Sequence, residues 1–227
     1  MVESLAASDI VRCVDAARTY GRGRTAVVAV QKLTCVVRAE TRAALVGPSG
    51  SGKSTVLHLL AGLEQPTAGS VSWPALGGSP LGRPGLVGHV FQGPSLLPPL
   101  DVTENVALPL LLAGVRQAQV LVQVADALRR AGVDDLAGRL PEEISGGQAQ
   151  RVAVARAIAG GPRLILADEP TGQLDAAHRD QIVDLLLAVA DAHHAGLVVA
   201  THDPHVADRL STRWAMHDGS LVAESSC

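Results

Sequence analysis

The sequence predicts an α/β fold with a mostly parallel sheet, an N-terminal antiparallel β subdomain and an inserted α-helical subdomain. Two observations predict the parallel part. The short apolar run 43–46 leads into a glycine-rich loop and a helix, and a second apolar run, 164–167, is followed by two acids. Strands that alternate with helices are typical of parallel sheets, because parallel neighbours need a crossover connection.

The segment ahead of the glycine-rich loop carries the signals of an antiparallel sheet. Residues 10–14 alternate weakly between apolar and polar side chains and predict an edge strand. Two β-branched runs, 27–30 and 33–37, predict two further strands of the same sheet. The glycines at 21 and 23 predict a loop between the first strand and the others.

After the glycine-rich loop, residues 55–61 predict a helix, and the chain then returns to the sheet twice. Residues 69–73 predict one strand and 86–91 predict another, which ends at Gln92. The stretch 74–85 between them is rich in Pro and Gly and predicts a loop.

No strand signal is found between residues 92 and 141. Asp101 with Glu104 three residues later predicts a capped helix start, and 120–131 have helical periodicity ended by Gly132. We interpret this stretch as a helical subdomain inserted into the α/β core.

The last third of the chain returns to the core. A helix is predicted at 148–159, and another extends from a cap at Asp175 to about residue 192. Residues 197–200 predict a buried strand, and 214–217 with 221–224 predict a closing hairpin.

The glycine-rich loop fits the phosphate-binding pattern G-x-x-x-x-G-K-[ST]. Its glycines let backbone N–H groups turn inward around phosphate oxygens, and the helix N-terminus adds partial positive charge. Lysine occurs only at Lys32 and Lys53, so chance is a poor explanation for the one at the required position. The core is therefore predicted to be a phosphate-loop NTPase. The candidate nucleotide-binding residues are Gly47, Pro48, Ser49, Gly50, Ser51, Gly52, Lys53, Ser54 and Thr55.

Two adjacent acids end the second apolar strand. Asp168 is placed to hold Mg²⁺, and Glu169 is placed to contact an attacking water, as in phosphate-loop NTPases. The alternative is a solvated acidic turn after a strand.

Two weaker signals accompany these motifs. The Ser-Gly-Gly-Gln turn at residues 145–148 opens a helix and is a second possible anion site, although such turns are common without ligands. Tyr20 is the only tyrosine; it offers a flat ring for an adenine base, or it is a partly buried loop aromatic.

Composition narrows the class of protein. The net charge of −3 does not mark the surface as nucleic-acid binding, and the chain shows no signal-peptide pattern and no apolar run long enough to span a bilayer. Three cysteines, Cys13, Cys35 and Cys227, have no metal-ligand spacing and are interpreted as reduced thiols. The histidines other than His202 are interpreted as ordinary helix or loop residues.

Taken together, the motifs resemble those of an ATP-binding-cassette (ABC) ATPase. The Ser-Gly-Gly-Gln element is specific to that family, and the resemblance extends from Tyr20 to His202. Residues 88–112 and 168–172 most resemble the subgroup serving lipoprotein release, macrolide export and related efflux. The ordered set comprises the phosphate loop, Gln92, residues 144–148, Asp168, Glu169, Asp175 and His202.

The resemblance implies a role for each of these positions. Tyr20 would stack on adenine, and Lys53 with the loop amides would bind the phosphates. Glu169 would polarise the attacking water, and His202 would hold that water and the γ-phosphate. The residues serving Mg²⁺ would be Ser54, Gln92 and Asp168, and Gln92 would also relay ATP status to a membrane partner docked on the helical lobe.

The second anion-binding turn lies about ninety residues after the phosphate loop. If it is far from its own loop, it can complete a site only on another molecule. The resemblance implies the same: Ser145 and Gly147 would contact the γ-phosphate of ATP held by a second copy, within a turn that includes Gly146 and Gln148. Asp175 would lie at the contact between copies.

The implied protein is one nucleotide-binding domain over 1–227, with 1–91 and 160–227 as ATPase core and 92–159 as helical subdomain. It would hydrolyse ATP with Mg²⁺ as a homodimer, or as a heterodimer with a related cassette, and drive an integral membrane permease. It would act in the cytoplasm, peripheral on the inner face of the cell membrane, without nucleic acid. The alternative is a non-transport ABC ATPase that serves a membrane partner in cell division or cell-wall remodelling.

Two departures from the family pattern concern contact surfaces. Gln173 stands where the subgroup usually has asparagine, and the stretch 73–86 is shorter than usual and lacks a basic helix.

Overall fold

The computed structural model describes residues 9–172 and 174–222. Gln173, Cys227 and the end of the predicted hairpin, residues 223–224, lie outside these ranges. Nine strands in the described part form one sheet in the order β4-β1-β2-β9-β8-β3-β7-β6-β5. The strands are β1 Val11–Tyr20, β2 Val27–Val37, β3 Arg42–Val46, β4 Ala68–Ser72, β5 Val87–Val90, β6 Leu164–Asp168, β7 Gly196–Thr201, β8 Thr212–His217 and β9 Ser220–Val222.

Helices cover the sheet and fill the region between β5 and β6. The helices are α1 Lys53–Leu60, α2 Val102–Leu112, α3 Gln117–Arg130, α4 Gly146–Ile158, α5 Ala176–Ala192 and the single turn α6 Pro204–Ala207. Short 3-10 turns occur at Gly23–Thr25, Pro74–Leu76, Asp134–Leu136 and Pro141–Glu143.

The predicted fold class is confirmed, with parallel pairing through β5, β6, β7, β3 and β8. The central strands β6 and β7 are buried along their whole length, which explains their nearly continuous apolar sequences. Along β6, Leu164 and Leu166 pack with α1 and the N-terminal strands, whereas Ile165 and Ala167 pack with α2 to α5. The sheet therefore divides the core into two apolar layers.

The N-terminal part is antiparallel, with β1 between β2 and β4. The two predicted strands 27–30 and 33–37 form the single strand β2, which passes through Lys32 with φ of 44°. The sequence predicted two strands because polar Gln31 and Lys32 interrupt the apolar run. In the structure Gln31 continues the strand and pairs with Ser220 of β9. The β8–β9 hairpin thus joins the antiparallel strands to the parallel core.

Helices α2, α3 and α4 occupy the chain between β5 and β6. The predicted cap at Asp101 is present: its carboxylate accepts from the Glu104 N–H at 2.7 Å, and the Glu104 carboxylate accepts from the Asp101 N–H at 3.0 Å. The three helices share buried apolar residues with one another and with β5. The division of the chain at residues 92 and 159 stays a prediction.

Two sequence expectations concern thiols and membranes. Cys13 and Cys35 are free thiols that lie opposite each other on β1 and β2. A hydrogen bond with the Cys13 thiol, together with burial, raises the pKa of Cys35. Within 9–172 and 174–222, no helix combines the length and apolarity needed to cross a bilayer.

Candidate nucleotide site

The glycine-rich loop lies between the end of β3 and the start of α1, as predicted. Its glycines are required by close backbone approaches. A Cβ on Gly47 would lie 2.4 Å from the Met216 carbonyl oxygen, and one on Gly52 would lie 2.2 Å from the Ala29 carbonyl oxygen. Both residues also have positive φ, of 154° and 100°. Side chains at these positions would push the loop away from β2 and β8 and open the turn.

Lys53 begins α1 and folds back over the loop. Its ammonium donates hydrogen bonds to the carbonyl oxygens of Gly47 at 2.8 Å and Pro48 at 3.1 Å. The side chain is largely buried, so the cation is held at the centre of the loop. A charge fixed there needs little reorganisation to pair with phosphate oxygens.

A cavity of about 800 Å³ opens beside the loop at the carboxyl ends of several parallel strands. This is the usual place for ligands in open α/β sheets. Its lining residues are Ala29, Ser49, Gly50, Gly52, Lys53, Ser54, Thr55, Gln92, Asp168, Glu169, Gly172 and His202. Gly47, Pro48 and Ser51 frame the loop without lining the cavity.

Glu169 and His202 contact each other at the wall of this cavity. The Nδ1 atom of His202 lies 2.8 Å from Oε1 of Glu169, and the Glu169 N–H donates to the Ala200 carbonyl at 2.9 Å. Glu169 has φ of 47°, a conformation that costs a non-glycine residue roughly 1–3 kcal/mol and that occurs preferentially at functional sites. The ends of β6 and β7 thus hold an acid and a base in contact.

Three oxygen donors suitable for Mg²⁺ line the same cavity. They are the Ser54 hydroxyl from α1, the Gln92 amide after β5 and the Asp168 carboxylate at the end of β6. Asp168 is almost fully buried, which costs free energy for a carboxylate without a cation nearby. Hydroxyl, amide and carboxylate oxygens are the ligands that hard divalent cations prefer, so these residues fit Mg²⁺.

The profile of the protein family described as "ABC transporter" matches residues 30–172, more than half of the chain. The chain belongs to this family. It is an ABC ATPase cassette. Its fold matches two structures of the cassette MJ0796, one described as a bacterial ABC transporter cassette and one as a post-hydrolysis dimer bound to ADP and Pi. Both matches have 31% identity and a TM-score of 0.88, over 95% of this chain and 98% of MJ0796.

A third structure, cbiO1 from Clostridium perfringens, shares the fold. It is described as part of the ABC transporter complex cbiONQ. Its TM-score is 0.80 at 23% identity, over 96% of this chain and 89% of cbiO1.

The Ser-Gly-Gly-Gln turn of this cassette does not line the cavity. Ser145 caps α4: its hydroxyl accepts from the Gln148 N–H at 3.3 Å, and the Gln148 side chain accepts from the Ser145 N–H at 2.8 Å. Ser145 and Gly146 are exposed, while Gly147 and Gln148 are half-buried. The cap presents the first turn of a thirteen-residue helix to the surface.

Asp175 also lies outside the cavity and caps α5. Its carboxylate accepts from the His178 N–H at 3.0 Å and lies 2.7 Å from His178 Nδ1. These hydrogen bonds lower the pKa of Asp175 below its ordinary value. The side chain therefore stays ionised at neutral pH on an exposed surface of the cassette.

Tyr20 ends β1 and does not line the cavity either. The Arg18 guanidinium lies over its ring, 4.7 Å from the ring centre. One face of the ring is thus used by a cation–π contact. Stacking on adenine stays a prediction for the ring.

Sequence reasoning missed Ala29 and Gly172 as cavity residues. Ala29 enters the site because Gly52 packs against its carbonyl, a contact between positions far apart in the chain. Small apolar residues carry no chemical signal, so no pattern predicts this placement. Gly172 follows the predicted Asp-Glu pair closely, and that proximity was the available signal.

Proposed function

We propose that this cassette is the ATP-hydrolysing subunit of a transporter, in which two copies close head to tail around two ATP molecules and drive a separate membrane permease. One observation carries the proposal. The cavity holds the phosphate loop, the metal donors and the Glu169–His202 pair, whereas the Ser145 turn is exposed elsewhere on the surface. A second copy can supply that turn, and the MJ0796 structures at 31% identity are dimeric.

In this mechanism each residue performs a limited task. Loop amides and Lys53 bind the phosphates, and Glu169 accepts the proton of the attacking water. His202 orients Glu169 through the 2.8 Å contact and holds the γ-phosphate. Ser145 and Gly147 of the other copy add donors at the helix N-terminus, where negative charge is favoured. Phosphoryl transfer needs positioning and charge stabilisation more than covalent help.

Mg²⁺ would be held by Ser54, Gln92 and Asp168, where it would supply positive charge against the phosphates. We expect EDTA to abolish hydrolysis and added Mg²⁺ to restore it. Asp168→Asn should raise the Mg²⁺ concentration for half-maximal activity by about 10–100-fold, as loss of a metal-supporting group typically does.

The matched control for that metal titration is Asp135→Asn, which changes an exposed acid outside the cavity. Its Mg²⁺ dependence should equal that of the wild type. An unchanged Mg²⁺ dependence in Asp168→Asn would remove this residue from the metal site.

The membrane partner is proposed to dock in an apolar groove between β5 and α2. The groove has a volume of about 420 Å³ and begins at Phe91, the neighbour of Gln92 in the nucleotide cavity. Leu112 on its rim is 67% exposed, and Leu111 and Leu97 beside it are more than 40% exposed. An apolar surface of this kind marks an interaction site. Gln92, the residue after Phe91, lines the nucleotide cavity, so this segment of chain joins the groove to the cavity.

The permease would hold the cassette peripherally on the cytoplasmic face of the membrane. The lipoprotein-release and macrolide-export subgroup stays part of this proposal and rests on residues 88–112 and 168–172. Of the short stretch 73–86, Gly85 is the one residue that lines the groove. The absence of a basic helix from this stretch therefore leaves the proposed docking surface intact.

Leu112→Glu should sharply reduce co-purification of the cassette with its membrane partner, because the charge must be desolvated on docking. The measurement is pull-down from detergent-solubilised membranes of the source cells, followed by mass spectrometry. Leu121→Glu is the matched control, since Leu121 is 57% exposed on α3 and does not line the groove. Equal capture by both variants would contradict this docking site.

The partner recovered in that experiment also separates the two functions implied by the resemblance. A permease supports transport. A membrane protein that regulates cell-wall enzymes would support the non-transport alternative.

A further inference from the structure

Arg156, in the last turn of α4, reaches the segment that follows Gln92. Its Nη1 donates to the Ser95 carbonyl at 2.9 Å. Its Nη2 donates to the Pro94 carbonyl at 3.3 Å and to the Ser95 hydroxyl at 2.9 Å. Three hydrogen bonds from one planar group fix both the distance and the orientation of this segment relative to the helix.

The local environment makes this contact strong. Burial lowers the pKa of Arg156, because the guanidinium is partly removed from water. Ion pairs in the described part of the chain involve other arginines, so the Pro94–Ser95 segment supplies the polar partners of this one. Ser95 has φ of 46°, a conformation that needs support from its surroundings. The cation and the strained segment therefore stabilise each other.

Both ends of α4 now belong to the nucleotide machinery. Ser145 caps its N-terminus, and Arg156 at the other end holds the segment only two residues beyond Gln92. An α-helix rises about 1.5 Å per residue, so α4 is short enough to move as a rigid body. Gln92 itself lines the cavity.

We infer that Arg156 is a positioning residue that makes Gln92 and the Ser145 turn move as one unit. The inference rests on the proposed function, in which Gln92 serves the ATP of its own copy and Ser145 serves the ATP of the other copy. Contact of Gln92 with one nucleotide then sets the position of the turn that completes the second site. Arg156 also lines the docking groove, so the membrane partner acts on both sites through the same side chain.

The test replaces Arg156 by Lys, which keeps the charge but loses the planar fork. Hydrogen–deuterium exchange of ATP-free protein should become faster in residues 93–97. ATP turnover should fall about tenfold, the effect of losing roughly one charge-assisted hydrogen bond. The KM for ATP should stay within about twofold, because Lys53 and the loop amides bind the phosphates.

The matched control is Arg151→Lys on the same helix. Arg151 donates to the Gly132 carbonyl at 2.6 Å and so anchors α4 to the end of α3, away from the Gln92 segment. This variant should leave exchange in 93–97 and the turnover number unchanged. Ser95→Ala, at an exposed position, removes one acceptor and should give a smaller change in the same direction as Arg156→Lys.

Three results would overturn the inference: unchanged exchange in residues 93–97 of Arg156→Lys, faster exchange with unchanged turnover, or identical effects in Arg151→Lys. Exchange in ATP-free protein reports the Arg156 contact whether or not the cassette dimerises. Failure of the proposed dimer is recognised separately, as a wild-type cassette that stays monomeric with ATP.

Discussion

Replacement of Glu169 by Gln should slow ATP hydrolysis by about 10²–10⁴-fold, the usual cost of losing a general base. The amide keeps the size of the side chain and its hydrogen bond to His202, but it does not accept the proton of the attacking water. ATP binding should persist, because Lys53 and the loop are unchanged. The protein should therefore accumulate in its ATP-bound form.

Two measurements check this expectation. Phosphate release gives the turnover, and size-exclusion chromatography with light scattering gives the mass with and without Mg²⁺ and ATP. The variant should be monomeric without nucleotide and dimeric with it. Glu40→Gln, an exposed change between β2 and β3, is the control and should match the wild type.

The role of Glu169 and the formation of the dimer can be contradicted separately. Near-normal turnover in Glu169→Gln would remove this residue from the role of base while leaving the phosphate loop in place. Slow turnover with a strictly monomeric, ATP-loaded protein would keep the base and contradict the dimer.

The phosphate loop and the helix caps were predictable because their signals are local. The phosphate loop, the Asp101–Glu104 cap and the Asp175 cap each depend on residues within one or two turns of chain. The apolar run that forms β6 predicted the fold class, because a strand that is buried on both faces has a continuous apolar sequence. In these places the local preferences agree with the tertiary structure.

Contacts between distant residues were not predictable. Arg156 and Ser95 are 61 positions apart, and nothing in either segment alone indicates their hydrogen bonds. The joining of two predicted strands into β2 depends on Gln31 pairing with a strand almost two hundred residues later. Each case is settled by tertiary packing.

If each site is built from two copies, as proposed, activity should recover when two inactive variants are mixed. Lys53→Ala removes the cation of the phosphate loop, and Gly147→Asp places a negative charge where the other copy's γ-phosphate would contact the turn. An Asp in the first turn of a helix interacts favourably with the helix dipole, so α4 should remain folded. The same negative charge should repel the phosphate. Each variant alone should be almost inactive.

A mixed dimer contains one intact site. Its loop comes from the Gly147→Asp copy, and its Ser145 turn comes from the Lys53→Ala copy. Random pairing of equal amounts gives half mixed dimers, so activity should recover to about a quarter of the wild-type value if the sites act independently. Phosphate release measured against mixing ratio should peak at equal amounts.

An in-cis site behaves differently in this experiment. If Ser145 served the loop of its own chain, every copy in the mixture would carry one defect, and no ratio would restore turnover. The double variant Lys53→Ala/Gly147→Asp mixed with wild type is the control, because its mixed dimers contain two damaged sites and should show no such peak. Recovery in the mixture of the two single variants would therefore support the proposal that the exposed cap of α4 contacts the ATP of the other copy.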